Sequence, residues 1–265
     1  MNTIATLIAQ ARKIVIKIGS NTLADSNGCI NEAFLNEFAE QAALLISTGK
    51  QLVLVSSGAQ AAGLSTMSKW ARKQDIHYKQ ALCAVGQVEL MGAWRRAFQV
   101  HGLHIGQILL TRDDFGDSIR TLNMRNTLFT LVDEGIVPII NENDTVGVEE
   151  IKIGDNDTLA AQSAILWSAD LLILLSDIDG LYCENPKDHP DAVLLEEVSN
   201  ISATKTCIST GGTSSFGTGG IATKLDAAEQ VVSYGIPMIL AHGGERALEA
   251  LAAGTQRGTA FLVGL

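Results

Sequence analysis

The sequence has 265 residues, of which 46% are hydrophobic and 18% are charged, and its mean hydropathy is +0.20. This apolar content is typical of a compact enzyme and argues against a disordered chain. The formal net charge of −10 argues against binding to nucleic acid or anionic membranes, because no basic stripe is present to neutralise a phosphate polymer.

The four cysteines and five histidines are scattered and form no metal or nucleophile motif. Free reduced thiols are typical of a cytosolic protein. The short apolar N-terminal segment has no basic region before it, and no apolar run approaches the roughly 18 residues that span a bilayer. We therefore expect a cytoplasmic protein with no membrane partner. The even spread of apolar segments predicts one α/β domain over residues 1–265.

The first predicted strand, Lys13 to Ile18, ends in a polar turn from Gly19 to Thr22. Open parallel sheets bind ligands at the carboxyl ends of their strands. Lys17 lies at this end, where a lysine among isoleucines and valines is costly unless its amine reaches a ligand or the sheet edge. Lys17 is therefore interpreted as a ligand-binding lysine or as the lysine of an edge strand.

A helix and a second strand follow. Asn31 is predicted to cap a helix that runs to about Thr48 and ends at Gly49, and the strand spans Gln51 to Val55. The small hydroxyl residues and glycines from Ser56 to Gly63 suit a pocket for a carboxylate or a phosphate. Taken alone, this segment is better explained as a turn into a helix with a serine cap.

The segment 68–77 is polar and expected at the surface. A long helix is predicted from Tyr78 to His101, with Gly86 and Gly92 as close-packing points. Its apolar side chains are expected in the core or in a subunit interface. A third strand is predicted from Ile105 to Leu110.

The next helix and strand lead to a polar cluster. After a charged loop at 111–114, the sequence predicts a helix from Asn123 to Glu134 and a strand from Ile136 to Ile140. The four residues Asn141 to Asp144 all carry carboxylate or amide side chains, which is more than a turn requires. The acidic character of this cluster suits an ammonium group or a hydrated cation.

A second polar cluster precedes another helix. A short strand at 148–153 leads to Asp155, Asn156 and Asp157, and the helix is predicted from Thr158 to Ala169. A single aspartate suffices as an N-cap, so the cluster exceeds the structural need. If the cluster has no ligand, Asp157 is the natural cap.

The fifth strand, Leu171 to Leu175, is followed by Ser176, Asp177 and a turn to Tyr182. This turn either binds a ribose or base edge or is only a turn. After a weak signal at 185–206, two strands and a helix are predicted near the C-terminus. They span Pro237–Leu240, Glu245–Ala253 and Thr259–Val263, with the helix in the middle.

The glycine-rich stretch at 215–226 has the features of an anion site. Its glycines at 217, 219 and 220 allow a positive φ and a close approach of the backbone to a ligand, and a helix is predicted from Ile221 to Tyr234. The helix N-terminus favours a phosphate, and Lys224 adds a full charge one turn later. The alternative is a glycine-rich surface loop before an ordinary helix.

Two known phosphate-binding motifs fit this stretch poorly. A Walker P-loop fails because Ala222 replaces the second glycine and Leu225 follows Lys224. A dinucleotide motif fits loosely but should follow a buried strand, and 207–215 is too polar for one. A dehydrogenase is therefore disfavoured, whereas a flap over phosphates fits the pattern.

The polar strand ends and the flap are expected to lie along one edge of the sheet. Two lysines there, with Mg²⁺ on a nucleotide, meet the demands of phosphoryl transfer, which depends on positioning and charge stabilisation. A carboxylate acceptor is already ionised at neutral pH, so no histidine base is required.

Seven motifs in this order resemble the glutamate 5-kinases of the amino-acid kinase superfamily, from about residue 12 to the C-terminus. They are Lys-Ile-Gly-Ser at 17–20, Val-Ser-Ser-Gly-Ala-Gln-Ala-Ala-Gly at 55–63, Leu-Leu-Thr-Arg-Asp-Asp at 109–114, Ile-Asn-Glu-Asn-Asp-Thr-Val at 140–146, Lys-Ile-Gly-Asp-Asn-Asp at 152–157, Leu-Ser-Asp-Ile-Asp-Gly-Leu-Tyr at 175–182 and Gly-Thr-Gly-Gly-Ile-Ala-Thr-Lys at 217–224. The set separates this family from the acetylglutamate, carbamate, aspartate and uridylate kinases.

The resemblance implies an α/β fold with an open, mainly parallel sheet sandwiched between helices. It implies that Lys17 and Lys224 contact the ATP phosphates and that Asp157 holds both lysines. The residues implied to bind glutamate are Ser57, Asp144 and Asn156. Those implied to bind ATP are Lys17, Ser176, Asp177, Thr218, Gly219, Gly220, Ile221, Ala222, Thr223 and Lys224. Residues 1–150 would mainly hold the amino acid and 151–265 mainly ATP.

The resemblance further implies phosphorylation of the γ-carboxylate of L-glutamate, the first step of proline synthesis, with ATP and nucleotide-bound Mg²⁺ and no protein metal site. Proline is expected as a feedback inhibitor and the protein as a homo-oligomer. The additional C-terminal domain of many members is not expected here. Phe216 and Ile221 replace the expected leucine and methionine without disabling the flap. A catalytically silent sensor on the same fold is the alternative.

Overall fold

The computed structural model describes residues 2–25, 28–67, 75–147, 156–184, 186, 188–189, 191–210 and 220–264. Within these residues the strands form one sheet. In chain order they are β1 (Lys13–Ile18), β2 (Gln51–Ser56), β3 (His104–Leu110), β4 (Ile136–Glu142), β5 (Leu171–Ser176), β6 (Glu197–Val198), β7 (Met238–His242) and β8 (Thr259–Phe261).

The strand order is β3-β4-β2-β1-β5-β7-β8-β6, and every neighbouring pair is parallel except β7 and β8. The expected open, mainly parallel sheet is confirmed. β1 lies in the middle of this sheet, where Lys17 is opposite Val55 of β2 and Leu174 of β5. The interpretation of Lys17 as an edge-strand lysine is therefore wrong.

Helices cover both faces of the sheet. They are α1 (Thr3–Gln10), α2 (Ser20–Leu23), α3 (Glu32–Ser47), α4 (Ala59–Met67), α5 (Ile76–Gln99), α6 (Ser118–Asp133), α7 (Asp157–Trp167), α8 (Ile201–Thr210), α9 (Ile221–Ser233) and α10 (Ala247–Ala253), with a 3₁₀ helix at Arg112–Gly116. The buried faces of α1, α3, α4, α5 and α10 form one hydrophobic core, and those of α6 to α9 form a second one.

Alternation along the strands divides the apolar residues between the two cores. In β1, Ile14 and Ile16 face the first core while Val15 faces the second. Successive side chains of a strand point to opposite faces, so a strand covered by helices on both sides is apolar throughout. This explains why β1, β2 and β5 are near-continuous runs of valine, leucine and isoleucine.

Apart from the strand expected at 148–153, the predicted helices and strands are found, and their ends differ from the prediction by at most five residues, at the start of α6. β4 extends two residues beyond the prediction because Asn141 and Glu142 still pair with Leu109 and Leu110 of β3. The predicted polar turn after β1 is the short helix α2. The strand predicted at 148–153 lies outside the described residues, as does most of the polar segment predicted at 68–77.

The two glycines of α5 differ in their surroundings. A Cβ atom at Gly86 would lie 1.8 Å from the carbonyl oxygen of Ala59 in α4, and one at Gly63 would lie 1.8 Å from the carbonyl oxygen of Leu82. The predicted close packing at Gly86 is thus confirmed. At Gly92 the nearest atom would be Arg96 Nη1 at 3.4 Å, so the same prediction for Gly92 is wrong.

Candidate active site

Two lysines from distant parts of the chain meet at one aspartate. Lys17 Nζ lies 2.6 Å from Asp157 Oδ1, and Lys224 Nζ lies 3.0 Å from Asp157 Oδ2. All three side chains are buried, with Asp157 fully inaccessible. Burying an ammonium is costly without a close anionic partner, and this carboxylate lies against both amines. The expected convergence of Lys17 and Lys224 is confirmed.

The fold explains how these three residues come together. Lys17 lies near the carboxyl end of the central strand β1, Asp157 is the first residue of α7, and Lys224 lies in the first turn of α9. The N-cap position of α7 is held by Asn156, without a side-chain cap bond. Asp157 is therefore not the cap that a purely structural role would require, since its carboxylate is directed to the lysines.

The N-terminus of α9 lies beside this cluster. Thr223 Oγ1 donates to the carbonyl oxygen of Gly220 at 2.8 Å and to Asp157 Oδ2 at 3.4 Å. Gly220 has a φ of −71°, so the expected positive φ does not apply at this glycine. Ile221 and Ala222 form the start of the helix. Thr218, Gly219 and the other residues of the glycine-rich stretch that precede Gly220 lie outside the described residues.

Amide and hydroxyl side chains form a second cluster next to Asp157. Asn156 Nδ2 donates to Ser57 Oγ at 3.0 Å and to Asn141 Oδ1 at 2.8 Å, and all three residues are buried. Asn141 Nδ2 in turn donates to Gln87 Oε1 of α5 at 2.8 Å. Ser57 and Asn156 were both predicted as substrate-binding residues. The structure brings them into contact, Ser57 just after β2 and Asn156 just before α7.

Asp144 lies three residues beyond Asn141, on the loop that follows β4. The residue is buried, and burial raises the pKa of its carboxyl group to about 6, although a hydrogen bond from the Cys83 thiol acts in the opposite direction. Gln80 of α5 anchors the loop, since its Nε2 donates to the carbonyl oxygen of Asp144 at 3.0 Å. A cationic group of a ligand would stabilise the ionised form of Asp144.

Ser176 and Asp177 lie at the end of β5, next to the loop after β1. Ser176 Oγ donates to Asp177 Oδ1 at 3.1 Å, and Asn21 Nδ2 donates to Asp177 Oδ2 at 3.0 Å. Burial alone would raise the pKa of Asp177. Hydrogen bonds from Asn21 and Ser176, together with the charge of Lys224, hold this pKa below its usual value. Asp177 is therefore ionised and lies within the field of Lys224.

Sequence reasoning missed four residues of these clusters: Asn21, Gln80, Cys83 and Gln87. The last three lie on α5, a helix interpreted as core or interface because of its apolar composition. Gln80 and Gln87 are seven residues apart, which places them on the same face of a helix, near the buried Gly86. Two glutamines spaced to lie on the same face of α5 were the signal in the sequence for this part of the site.

The described residues contain no group of three or more histidine, cysteine, aspartate or glutamate side chains that could hold a metal ion. In the same residues, no helix combines the length and the apolar character that crossing a bilayer requires.

The sequence is similar to known proteins over most of its length. Residues 12–242 match the amino acid kinase family. The chain is 61% identical over 262 residues to the glutamate 5-kinase of Alkaliphilus metalliredigens. This match covers 98% of this chain and 99% of the relative. It is 62% identical over 237 residues to the glutamate 5-kinase of Alkaliphilus oremlandii, covering 89% and 90% of the two chains.

The solved structure of UMP kinase from Ureaplasma parvum superposes with a TM-score of 0.67, over 96% of this chain and 99% of that chain, at 16% identity. This likeness concerns the fold alone. The two Alkaliphilus relatives match 98% and 89% of this chain, and their sequence identity of 61% and 62% is high enough to show the family. This chain belongs to the amino acid kinase family and, within it, to the glutamate 5-kinases.

Proposed function

We propose that this protein transfers the γ-phosphoryl group of ATP to the γ-carboxylate of L-glutamate, giving L-glutamyl 5-phosphate and ADP, the first step of proline biosynthesis. The observation that carries the proposal is the meeting of Lys17 and Lys224 at Asp157, directly beside the Asn156 amide cluster. A phosphate-binding pair of amines and an amino-acid-binding set of polar groups are thus neighbours in space.

The two lysines act on the transferred phosphoryl group. Negative charge is spread over the phosphoryl oxygens in the transition state, and preformed cations stabilise that charge without reorganisation. Asp157 contributes by keeping both amines in place, since each of its oxygens contacts one of them. No general base is needed, because the γ-carboxylate of glutamate has a pKa of about 4.3 and is already the nucleophile at neutral pH.

The amino acid is held by Ser57, Asn156 and Asp144. Free glutamate carries an α-ammonium group, which pairs with the buried carboxylate of Asp144 and so offsets the cost of ionising that residue. N-acetylglutamate has a neutral amide at this position and cannot make that ion pair. The acidic loop after β4 therefore favours glutamate over its acetylated analogue.

ATP is held by the C-terminal part of the chain. Backbone N–H groups of Ile221, Ala222 and Thr223 at the start of α9 are suited to phosphate oxygens. Gly220 begins this turn, and Thr218 and Gly219 complete the proposed flap. Ser176 and Asp177 are assigned to the nucleoside end of ATP. Residues 1–150 thus mainly hold glutamate and 151–265 mainly hold ATP.

Magnesium enters with the nucleotide. The acidic residues near the lysines are engaged in other contacts, Asp157 with both amines and Asp177 with Asn21 and Ser176. Among the described residues, these two carboxylates do not fit a protein-held magnesium site. Mg²⁺ supplies charge neutralisation on the phosphates to which it is bound.

Three further properties follow from the family and not from the geometry. Proline is proposed as a feedback inhibitor, the protein as a homo-oligomer, and its location as the cytoplasm. Glutamate-dependent turnover measured across a proline titration tests the first of these, and light scattering of the purified protein tests the second.

The activity is tested by ADP release from MgATP with a panel of acceptors: glutamate, N-acetylglutamate, aspartate, carbamate and UMP. We expect release with glutamate alone, and in the presence of hydroxylamine the acyl phosphate product is trapped as γ-glutamyl hydroxamate. ATP binding without glutamate-dependent ADP release would instead indicate a catalytically silent sensor. Release with another acceptor at higher efficiency would replace the proposed substrate.

A further inference from the structure

Three side-chain amides in the amino-acid site have orientations that a single backbone group determines. The backbone N–H of Glu142 donates to the side chain of Asn141 at 2.9 Å. A backbone N–H can only donate, so the atom of Asn141 that faces it is the oxygen Oδ1. The amide nitrogen of Asn141 must then face Gln87, whose nearest atom, at 2.8 Å, acts as an acceptor and is the oxygen Oε1.

The same argument orients Asn156. Its side chain lies 2.8 Å from Asn141 Oδ1, an acceptor, so the atom of Asn156 in this contact is the donor Nδ2. That nitrogen also donates to Ser57 Oγ at 3.0 Å. The oxygen Oδ1 of Asn156 is consequently turned away from both partners.

Two polar atoms of this chain of amides are buried without a hydrogen-bond partner in the part of the protein that the structure describes. They are Asn156 Oδ1, an acceptor, and Gln87 Nε2, a donor. A buried polar group that lacks a partner destabilises the folded state. Asn156 Oδ1 gains a partner when an ammonium group of a ligand donates to it, and Asp144 on the neighbouring loop supplies the countercharge.

Gln87 has no comparable structural reason to be a glutamine. A side chain of similar size without polar atoms, such as methionine, would fill the same space and would leave no buried amide nitrogen without a partner. What methionine cannot do is accept the hydrogen bond from Asn141. The property that distinguishes glutamine from methionine here is therefore its side-chain oxygen, which accepts the hydrogen bond from Asn141.

We propose that Gln87 is a positioning residue for the amino-acid substrate, acting through Asn141 to hold the Asn156 carboxamide with its oxygen presented to the substrate ammonium. The inference rests on the proposed glutamate kinase activity and adds a residue of α5 that does not itself contact the phosphates. Loss of the Gln87 acceptor allows the Asn141 amide to turn, and Asn156 then loses its fixed orientation.

The test compares three variants by steady-state kinetics. Gln87→Met removes the acceptor and is expected to raise the KM for glutamate about tenfold, with the KM for ATP changed less than about twofold, a difference of the size expected for one buried hydrogen bond. Gln87→Glu retains an oxygen that accepts from Asn141 and is expected to stay within about threefold of the wild type. Gln99→Met makes the same change at an exposed position of α5 and is the matched control.

A double-mutant cycle identifies the route of the effect. In the Asn141→Ala background, Gln87→Met is expected to change the glutamate KM less than twofold, because the residue through which Gln87 acts is gone. Where Gln87→Met does not fold, Asn141→Ala alone tests the inference, since it removes the other end of the same hydrogen bond and must raise the glutamate KM selectively.

Several results would overturn the inference. They are an unchanged glutamate KM in Gln87→Met, an equal rise in both KM values, a Gln87→Glu variant as impaired as Gln87→Met, and additive effects in the cycle. A wild-type protein that does not phosphorylate glutamate would instead overturn the proposed function. The activity of the wild-type protein tests the proposed function, and the kinetics of the variants test the role of Gln87.

Discussion

Asp157 contacts the amines of both Lys17 and Lys224. A lone carboxylate with one lysine on each oxygen fixes the separation of the two amines, and its burial protects both contacts from screening by solvent. Asp157 is the first residue of α7, so the start of this helix positions the carboxylate that both amines contact. The position of the proposed phosphoryl site is thus set by the end of one helix.

Lys224→Ala is expected to lower kcat by about two orders of magnitude or more, because an amine that stabilises charge in the transition state is lost. The control is Lys205→Ala, which removes a lysine that pairs with Asp226 and Glu229 at the surface, both at 2.6 Å. Surface ion pairs contribute little, so this variant should turn over like the wild type. Near-normal turnover of Lys224→Ala would exclude Lys224 from the chemistry.

Asp144 links the stability of the fold to pH. Its pKa is raised from 3.8 to about 6 in the folded protein, so the folded state holds a proton that the unfolded chain has already released. The stability gained from this proton is fully present below pH 3.8 and is lost as the pH rises through about 6. At neutral pH the ionised, buried Asp144 therefore destabilises the ligand-free protein.

Asp144→Asn cannot ionise. We expect this variant to be more stable than the wild type at pH 7.5, by on the order of 1–3 kcal/mol, and equally stable near pH 4. Urea unfolding at the two pH values without glutamate measures the difference. The same variant should raise the KM for glutamate far more than that for ATP, since the ammonium loses its countercharge. A stability difference that does not depend on pH would contradict the raised pKa.

At the scale of single residues, the sequence was sufficient to identify candidate site residues in two situations. A polar side chain interrupts an apolar run, or a turn contains more polar side chains than it requires. Lys17 and Asp157 were identified in this way. Gln87 was not, because a glutamine in a long helix is ordinary and only its contact with Asn141 distinguishes it. The roles of the identified residues remain predictions that the kinetic experiments address.

Helices α4 and α5 pack with their backbones in contact. The chain approaches itself at Gly63 and Gly86, where added Cβ atoms would overlap backbone atoms of the other helix. Such contact leaves no side chain that could move aside. Gln80 and Gln87 of α5 contact Asp144 and Asn141, so the packing of these two helices supports the proposed amino-acid site.

Gly86→Ala is expected to destabilise the protein by more than about 3 kcal/mol, because its Cβ atom would lie 1.8 Å from Ala59 O and 2.2 Å from Gly63 N. Gly92→Ala, in the same helix, meets only Arg96 Nη1 at 3.4 Å. Alanine is favoured over glycine in a helix, so this control should gain up to about 1 kcal/mol. Denaturant unfolding of both variants checks the contrast, and equal effects would contradict the close packing at Gly86.

At the scale of helices and strands, apolar periodicity and caps predicted most of the elements. Asn31 accepts from the backbone N–H of Phe34 as the predicted cap of α3. α1, α2 and α8 were not predicted, and α4 was expected only as a helix entered from the turn at 56–63. These helices are short or rich in small and hydroxyl residues, and tertiary packing rather than intrinsic propensity stabilises such helices. The end of β4 was missed because its last two residues are polar but still pair with β3.

The whole molecule places the ends of non-consecutive strands next to one another. β1 pairs with β2 on one side and β5 on the other, so Ser57, just after β2, and Ser176, the last residue of β5, lie on the two sides of Lys17. Right-handed crossovers predicted that these ends lie on one edge, but not the order of the strands. Neither that order nor the antiparallel pairing of β7 with β8 has a signal in local sequence.

The residues proposed to bind the two substrates lie on the two sides of β1. Ser57 follows β2 and contacts Asn156, whereas Asp177 follows β5 and is held by Asn21. If residues 1–150 mainly bind glutamate and the rest mainly bind ATP, the two sites can be disabled separately. We expect Ser57→Ala to weaken glutamate binding alone and Asp177→Ala to weaken nucleotide binding alone.

Thermal unfolding with each ligand measures this division. A ligand at about 100 times its Kd stabilises the folded state by about 2.7 kcal/mol, which raises the melting temperature by a few degrees in a chain of this size. Ser57→Ala should lose most of the shift given by glutamate and keep the shift given by a non-hydrolysable ATP analogue, and Asp177→Ala should show the reverse. If either variant lost both shifts to the same extent, the two sides of β1 would not be separate binding regions, and the division of the chain between its substrates would be wrong.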